Sequence, residues 1–289
     1  MHKETLFGTF RNKLLTMASA KPYGSFSEWV DELLSKGKNA FALQQVKESF
    51  PQHSEAALKR SLNRLSTKNR IVSVHKGYYV IVSYEYAAKG IVPPLLYIDG
   101  LMKFLNRPYY VSLLSAAALY GAAHQAPQVF MVNTTFPALR PSAKKNSKVK
   151  FISVKKIPAA LLEQKKTESG YIQVSSPELT AIDLVNFAKH IGGLSRAATI
   201  LNELAEEIRF EKINEQLAQF AETATLQRLG YIADQILHKK ELADAIENLC
   251  KRMNLKFFRV SLMIKGNRYG YACNERWKVI ENSQIEIDE

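Results

Sequence analysis

The 289-residue chain has only two cysteines, Cys250 and Cys273. That is too few for a disulfide framework or a cysteine-built zinc site, and it fits a reducing compartment. No run approaches the 18 apolar residues of a membrane helix; the longest, Leu113–Ala123, is short and leads into His124-Gln125. The stretch Leu14-Leu15-Thr16-Met17-Ala18-Ser19-Ala20 closes like a signal peptide. Glu4, Arg11 and Lys13 interrupt the apolar region such a signal needs, so the expectation is a cytoplasmic protein with no membrane contact. The six histidines (His2, His53, His75, His124, His190, His238) lack ligand spacing, and no metal or cofactor is expected. There is no phosphate loop ending in Lys-Ser/Thr, no Gly-x-Gly-x-x-Gly, no internal repeat and no low-complexity segment.

What is present is a globular composition, 46% hydrophobic and 23% charged, with a formal net charge of +13. The charge is uneven. Residues 1–80 carry +7, residues 81–170 carry +8 and residues 171–289 carry −2. A strongly basic first part asks for a polyanionic partner, while the acidic remainder serves something else. At roughly 100–200 residues per domain, the length suggests two domains or three.

The pattern of the first 90 residues is informative. Leu6, Phe7, Phe10, Leu14 and Met17 recur at helical spacing over 4–17. A second helix is expected over Ser27–Lys36, with Val30, Leu33 and Leu34 inward, ending at Gly37. Asn39–Phe50 reads as a short extended entry and then a helix that Pro51 closes. Ser54 is a good N-cap for a helix over Glu55–Thr67, whose core stripe is Leu58, Leu62 and Leu65. Ile71–His75 and Tyr78–Ser83 alternate and are rich in β-branched and aromatic residues, with Lys76-Gly77 as the turn.

Helix, turn, helix and then a two-stranded ribbon is the order of a winged helix-turn-helix, whose second helix enters the DNA major groove. With the leucine stripe inward, rotation by about 100° per residue puts Ala56, Arg60, Asn63 and Thr67 outward, flanked by Lys59 and Arg64. Arginine suits guanine edges and asparagine suits adenine edges. Gln52, His53 and Ser54 lie at the helix N-terminus, where backbone N–H groups favour phosphate. Lys68 and Arg70 lie at the helix exit, and His75 and Lys76 at the hairpin tip, placed for backbone or minor-groove contact. A second basic cluster, Arg140, Lys144, Lys145, Lys148, Lys150, Lys155 and Lys156, has no acid between Asp99 and Glu163. It reads either as an extension of a nucleic-acid footprint or as a solubilising strand pair.

Beyond Pro93-Pro94, helices are expected over Leu95–Leu105 and Ser112–Ala122, and strands over Gln128–Asn133, Lys148–Val154 and Tyr171–Val174. Ser175-Ser176-Pro177-Glu178 reads as a capping box with Ser175 as cap, opening a helix to about His190 that ends at Gly192-Gly193. Residues 195–250 are helical in composition, and the tail from about Phe257 alternates like a strand. The expected architecture is α+β: a winged helix-turn-helix over 1–90, then a mixed domain over 91–289 that is basic and α/β to about 175 and helical beyond.

Several of these segments resemble a known family. Leu62-Asn63-Arg64-Leu65-Ser66-Thr67-Lys68-Asn69-Arg70-Ile71 with Lys76-Gly77-Tyr78-Tyr79-Val80 is similar to the N-terminal module of the AbiEi antitoxins. Tyr110–Gly121 followed by Ala126–Val132 resembles their helix-then-strand segment, and Val174–Val185 with Gly192-Gly193 matches a further one. The resemblance spans about residues 40–205, and it rests on order and spacing rather than on any chemical motif. It implies a type IV toxin–antitoxin system in which the N-terminal domain binds double-stranded DNA at repeats in its own promoter. It further implies a C-terminal domain that counteracts a nucleotidyltransferase toxin, directly or indirectly, without catalysis.

The residues themselves leave two other readings open. One is a winged-helix regulator whose C-terminal domain senses a small molecule. The other is a metal-dependent nuclease, for which Glu163-Gln164-Lys165 fits the short acid-x-Lys pattern but lies in what reads as an exposed polar loop, with Glu168 as its only acidic neighbour. Asp183 is expected to hold a helix terminus or a neighbouring loop, and Ser112 and Ser115 to pack. The acidic helices with Glu203, Glu206, Glu207, Glu211 and Glu215 read as a solvated face or a surface for a basic partner.

Overall fold

The computed structural model describes residues 23–89, 92–123, 127–144 and 147–287. The helix expected over 4–17 and Lys145 lie outside these residues. The first unit comprises α1 (Phe26–Ser35), β1 (Ala40–Ala42), α2 (Leu43–Ser49), α3 (Glu55–Thr67), β2 (Ile71–His75) and β3 (Tyr78–Ile81). Ser25 caps α1 through Glu28 N, and Ser54 caps α3 through Ala57 N. The three strands form an antiparallel sheet in the order β1-β3-β2, with Phe41 opposite Tyr79 and Val72 opposite Val80. Leu58, Leu62 and Leu65 are buried as expected, and they meet Phe26, Trp29, Val30, Phe41, Val46 and Phe50. Trp29 meets the edge of Phe41 at 5.0 Å, so aromatic contacts fix how α1 lies across the sheet.

The hairpin is buried on both faces. Strand alternation sends Ile71 and Ile81 into that aromatic core. It sends Val72, Val74, Tyr78 and Val80 into a second core with Tyr97, Ile98, Leu101, Tyr109, Val111, Val132 and Val174. Those partners belong to the rest of the chain, which continues with α4 (Tyr84–Lys89), α5 (Ile98–Phe104), β4 (Tyr109–Val111), α6 (Leu113–Leu119) and β5 (Phe130–Thr135). Then follow β6 (Ser142–Lys144), β7 (Ser147–Val154), β8 (Leu162–Thr167) and β9 (Gly170–Ser175). Strands β4 to β9 form one mixed six-stranded sheet in the order β6-β7-β5-β4-β9-β8. The first unit thus lies on one face of this sheet through a continuous apolar layer.

The other face carries helices: α7 (Pro177–Asn186), α8 (Leu194–Leu204), α9 (Glu215–Phe220), α10 (Thr223–Tyr231) and α11 (Lys240–Arg252), in one large core with α6. The tail adds only β10 (Val260–Ser261) and β11 (Val279–Ile280), paired in parallel. The expected strand-like tail is therefore mostly irregular. It is held by single anchors: Trp277, fully buried, donates to Asp234 at 3.0 Å, and Asn282 bonds the backbone of Met263 on both sides.

Three expectations are corrected. Glu163 and Lys165 lie in β8, paired along its length with β9, not in a loop. The cap of α7 is Ser176, which accepts from Leu179 N; Ser175 instead bonds Thr180, and Glu178 reaches across to Arg209 N. Asp183 holds neither a helix end nor a loop. It sits within α7, fully buried, and accepts from Asn133 at 3.3 Å.

Candidate nucleic-acid interface

The face expected to read DNA is formed as the leucine stripe dictates. With Leu58, Leu62 and Leu65 inward, Ala56, Lys59, Arg60, Asn63, Arg64, Thr67 and Lys68 are all exposed. Among the described residues no carboxylate pairs with Lys59, Arg60, Arg64 or Lys68, so the face is positively charged and free to meet a polyanion. Gln52, His53 and Ser54 are exposed at the helix start. The Ser54 hydroxyl is already used as the cap, the His53 ring leans edge-on against Phe50, and Glu55 in the first turn pairs with Lys47 at 3.2 Å. That helix end offers an anion less than its sequence suggests, because Glu55 opposes a phosphate there.

Arg70 turns back to an ion pair with Asp31 and lies over the exposed Tyr84 ring. It fastens α1 to the start of β2. His75 and Lys76 are exposed at the hairpin tip, but the tip rests on α5: Gly77 and Tyr78 lie against Phe104, whose ring is 5.2 Å from that of Tyr78. A cavity of about 370 Å³ separates Val74 and His75 from Ala138–Pro141, which places Arg140 beside the tip.

The second basic cluster is divided by strand alternation. Val149 points into the layer beneath the first unit, whereas Lys150 points to the helical face and donates to the His190 carbonyl at 3.3 Å. Lys148 shares that side of β7 with Lys150. Burial, with Lys150 and Lys189 nearby, holds the His190 imidazole below its ordinary range. Lys155 and Lys156 are exposed just past the end of β7, and Lys144 lies in β6 on the sheet edge. The cluster is a run in sequence but several surfaces in space.

Elsewhere the polar groups are internally engaged. Glu163 accepts from Lys212 at 2.6 Å and lies 2.9 Å from the Tyr120 hydroxyl. Burial raises its pKa, but these bonds and the Lys212 charge outweigh it and hold the carboxyl below the usual range. Lys165 covers the Tyr120 ring and donates to the Leu119 carbonyl. The pair reads as a brace between β8 and the 210 region. Around Asp183, Ser112 donates to Asn133 and Asn133 donates to the Tyr110 hydroxyl, both at 2.8 Å, in a fully buried polar knot. Burial raises the Asp183 pKa to about 8. The Ser115 hydroxyl accepts from Met131 N at 2.9 Å. The network in which Arg276 meets three carboxylates, Asp234, Asp244 and Glu247, with Lys251 joined through Glu247, carries no signal in the sequence.

An outward basic helix on a small three-stranded unit, seated on a mixed sheet with a helical back, makes an α+β architecture. The solved structure of the RV2827C protein from Mycobacterium tuberculosis shares this fold, with a TM-score of 0.62 over 88% of this chain and 90% of that one at 14% identity. Residues 110–235 match the model of the AbiEi antitoxin C-terminal domain, so that part of the chain is similar to the antitoxin domain of toxin–antitoxin systems. No curated protein matches the sequence. Among the described residues, no helix is long and apolar enough to cross a membrane.

Proposed function

We propose that the protein is a DNA-binding antitoxin of a type IV system. On this reading the residue 1–90 module, as a winged helix-turn-helix, represses its own operon in the cytoplasm, and the 91–289 part counteracts a nucleotidyltransferase toxin. The observation that carries the DNA half is the exposed, unpaired face of Lys59, Arg60, Asn63 and Arg64 on a helix whose opposite face is fixed by three buried leucines. Lys68, His75, Lys76 and Arg140 extend that face toward the hairpin tip. The AbiEi domain supports the toxin-directed half.

Fluorescence anisotropy on duplex from the protein's own promoter tests it. About six neutralised phosphates give a log–log salt slope of about −5. A slope near zero removes the DNA assignment. Arg60→Ala with Asn63→Ala should abolish sequence preference while co-expression still rescues cells from the neighbouring toxin; loss of both functions together argues against two separable roles. Failure of the wild type to rescue removes the antitoxin half.

A further inference from the structure

The segment 171–289 carries a net acidic charge, yet one cavity in it is lined by cations. It measures about 520 Å³, within the range of small-molecule sites, and lies on the helical face between the end of α7, the start of α8, α10 and the tail. Its lining includes Lys189, Arg228 and Lys265 and contains no aspartate or glutamate. Arg228 comes from inside the protein: it donates Nε to the Ser261 carbonyl at 2.8 Å and Nη1 to the Ala224 carbonyl, and no carboxylate pairs with it among the described residues. Glu222 acts on this half-buried guanidinium from a distance without an ion pair, so its hydrogen bonds to neutral carbonyls leave charge available to a ligand.

The remaining wall is apolar. Val185, Ala188, Leu194 and Leu262 line it, and Met263 and Ile264, 48% and 61% exposed, stand at the tail side. Such large apolar side chains exposed beside a cavity are unfavourable in water and suit an apolar ligand body. Gly192 and Gly193 both have φ of +106°, which brings backbone without a Cβ to the cavity edge, and α8 begins there with no side-chain cap. The free N–H groups of Leu194 and Ser195 add donors to a site that the cavity and its three cations already define.

We propose that this cavity binds a small organic phosphate monoester with an apolar body: a dianionic head among Lys189, Arg228 and Lys265, and a tail along Leu194, Met263 and Ile264. The site is independent of the DNA reading, so failure of either leaves the other standing. Octyl phosphate, inorganic phosphate, octanoate and octanol serve as probes in calorimetric titration of the full chain. Octyl phosphate should bind at least ten-fold more tightly than each of the others. Lys189→Glu with Lys265→Glu, both exposed positions that leave the fold intact, should weaken it ten-fold or more; Arg228→Gln should do the same if it folds. No binding of octyl phosphate, or no loss in the double variant, overturns the site. Equal binding of octanol overturns the anionic head, equal binding of octanoate overturns the dianion, and equal binding of inorganic phosphate overturns the apolar body.

Discussion

An Asp183→Asn variant should change how the protein's stability depends on pH, and the size of the change follows from where the carboxyl sits. Asp183 is fully buried, one of its oxygens has no hydrogen-bond partner, and burial lifts its pKa from 3.8 to about 8, against the weaker opposing effect of the Tyr110 hydroxyl. In the unfolded chain the same group ionises near its ordinary value of about 4. Between about pH 4 and pH 8 the folded protein therefore holds a proton that the unfolded chain has released, so stability falls as the pH rises. One pKa unit corresponds to about 1.4 kcal/mol, so by pH 7 this group alone removes about 4 kcal/mol relative to pH 4. Asparagine has nearly the same shape, keeps an oxygen for Tyr110 and Asn133, and has no proton to lose. Urea denaturation followed by circular dichroism, for both proteins at half-unit steps from pH 4.5 to 8.5, isolates residue 183 as the difference between them. The wild type should lose on the order of 1 kcal/mol per pH unit relative to the variant, and the variant should be the more stable protein at pH 8. Parallel curves, or a variant less stable throughout, would refute burial as the controlling effect.

Two further substitutions test the packing of the tail. A Cβ at Gly230 would lie 2.1 Å from the ring of the fully buried Trp277. The helix preference of alanine over glycine, about 1 kcal/mol, is smaller than an overpacking cost of about 3 kcal/mol, so Gly230→Ala should lower stability by about 2 kcal/mol in urea titration. An alanine variant as stable as the wild type would mean that the ring has room to move. Arg276→Met should leave Asp234, Asp244 and Glu247 facing one another and cost about 2 kcal/mol at pH 7, discounted from a fully buried pair because the arginine is partly exposed. Against burial, Trp277, Gln235 and Arg276 hold the Asp234 pKa low, and Lys251 with Arg276 does so for Glu247. The share that Arg276 contributes is therefore present above the ordinary carboxylate range and is lost as the pH falls through it. The deficit of the variant should shrink below about pH 4, and a deficit constant with pH would argue against a charge effect.

The elements best anticipated from sequence are those whose signals are local. Ser54 and the Leu58, Leu62, Leu65 stripe fix α3 within its own 14 residues, and the alternation around Lys76-Gly77 fixes the hairpin. Strand β8 was hidden because it lies at the sheet edge: its charged residues Glu163, Lys165 and Lys166 leave no apolar period to read. The cap of α7 slipped by one residue because Ser175 and Ser176 are both good caps. Only the tertiary environment assigns Ser175 to Thr180 and Glu178 to Arg209. The Lys144–Lys156 cluster looked single in sequence, and period-2 geometry divided it. The cavity cations were missed for the opposite reason, since Lys189, Arg228 and Lys265 are far apart in sequence; the one local sign was the glycine pair at 192–193.

The apolar layer shared by the hairpin and the large sheet also limits how the molecule is taken apart and how it turns. A cut near residue 90 would leave Val72, Val74 and Tyr78 bare on one fragment and Ile98, Leu101 and Val174 bare on the other, so each piece alone should be prone to aggregate. The same seam leaves α3 without a swivel. If the proposed DNA reading holds, such a helix would meet a duplex at one angle set by the whole body, and two copies on neighbouring repeats would be spaced by the girth of the sheet-and-helix part behind it.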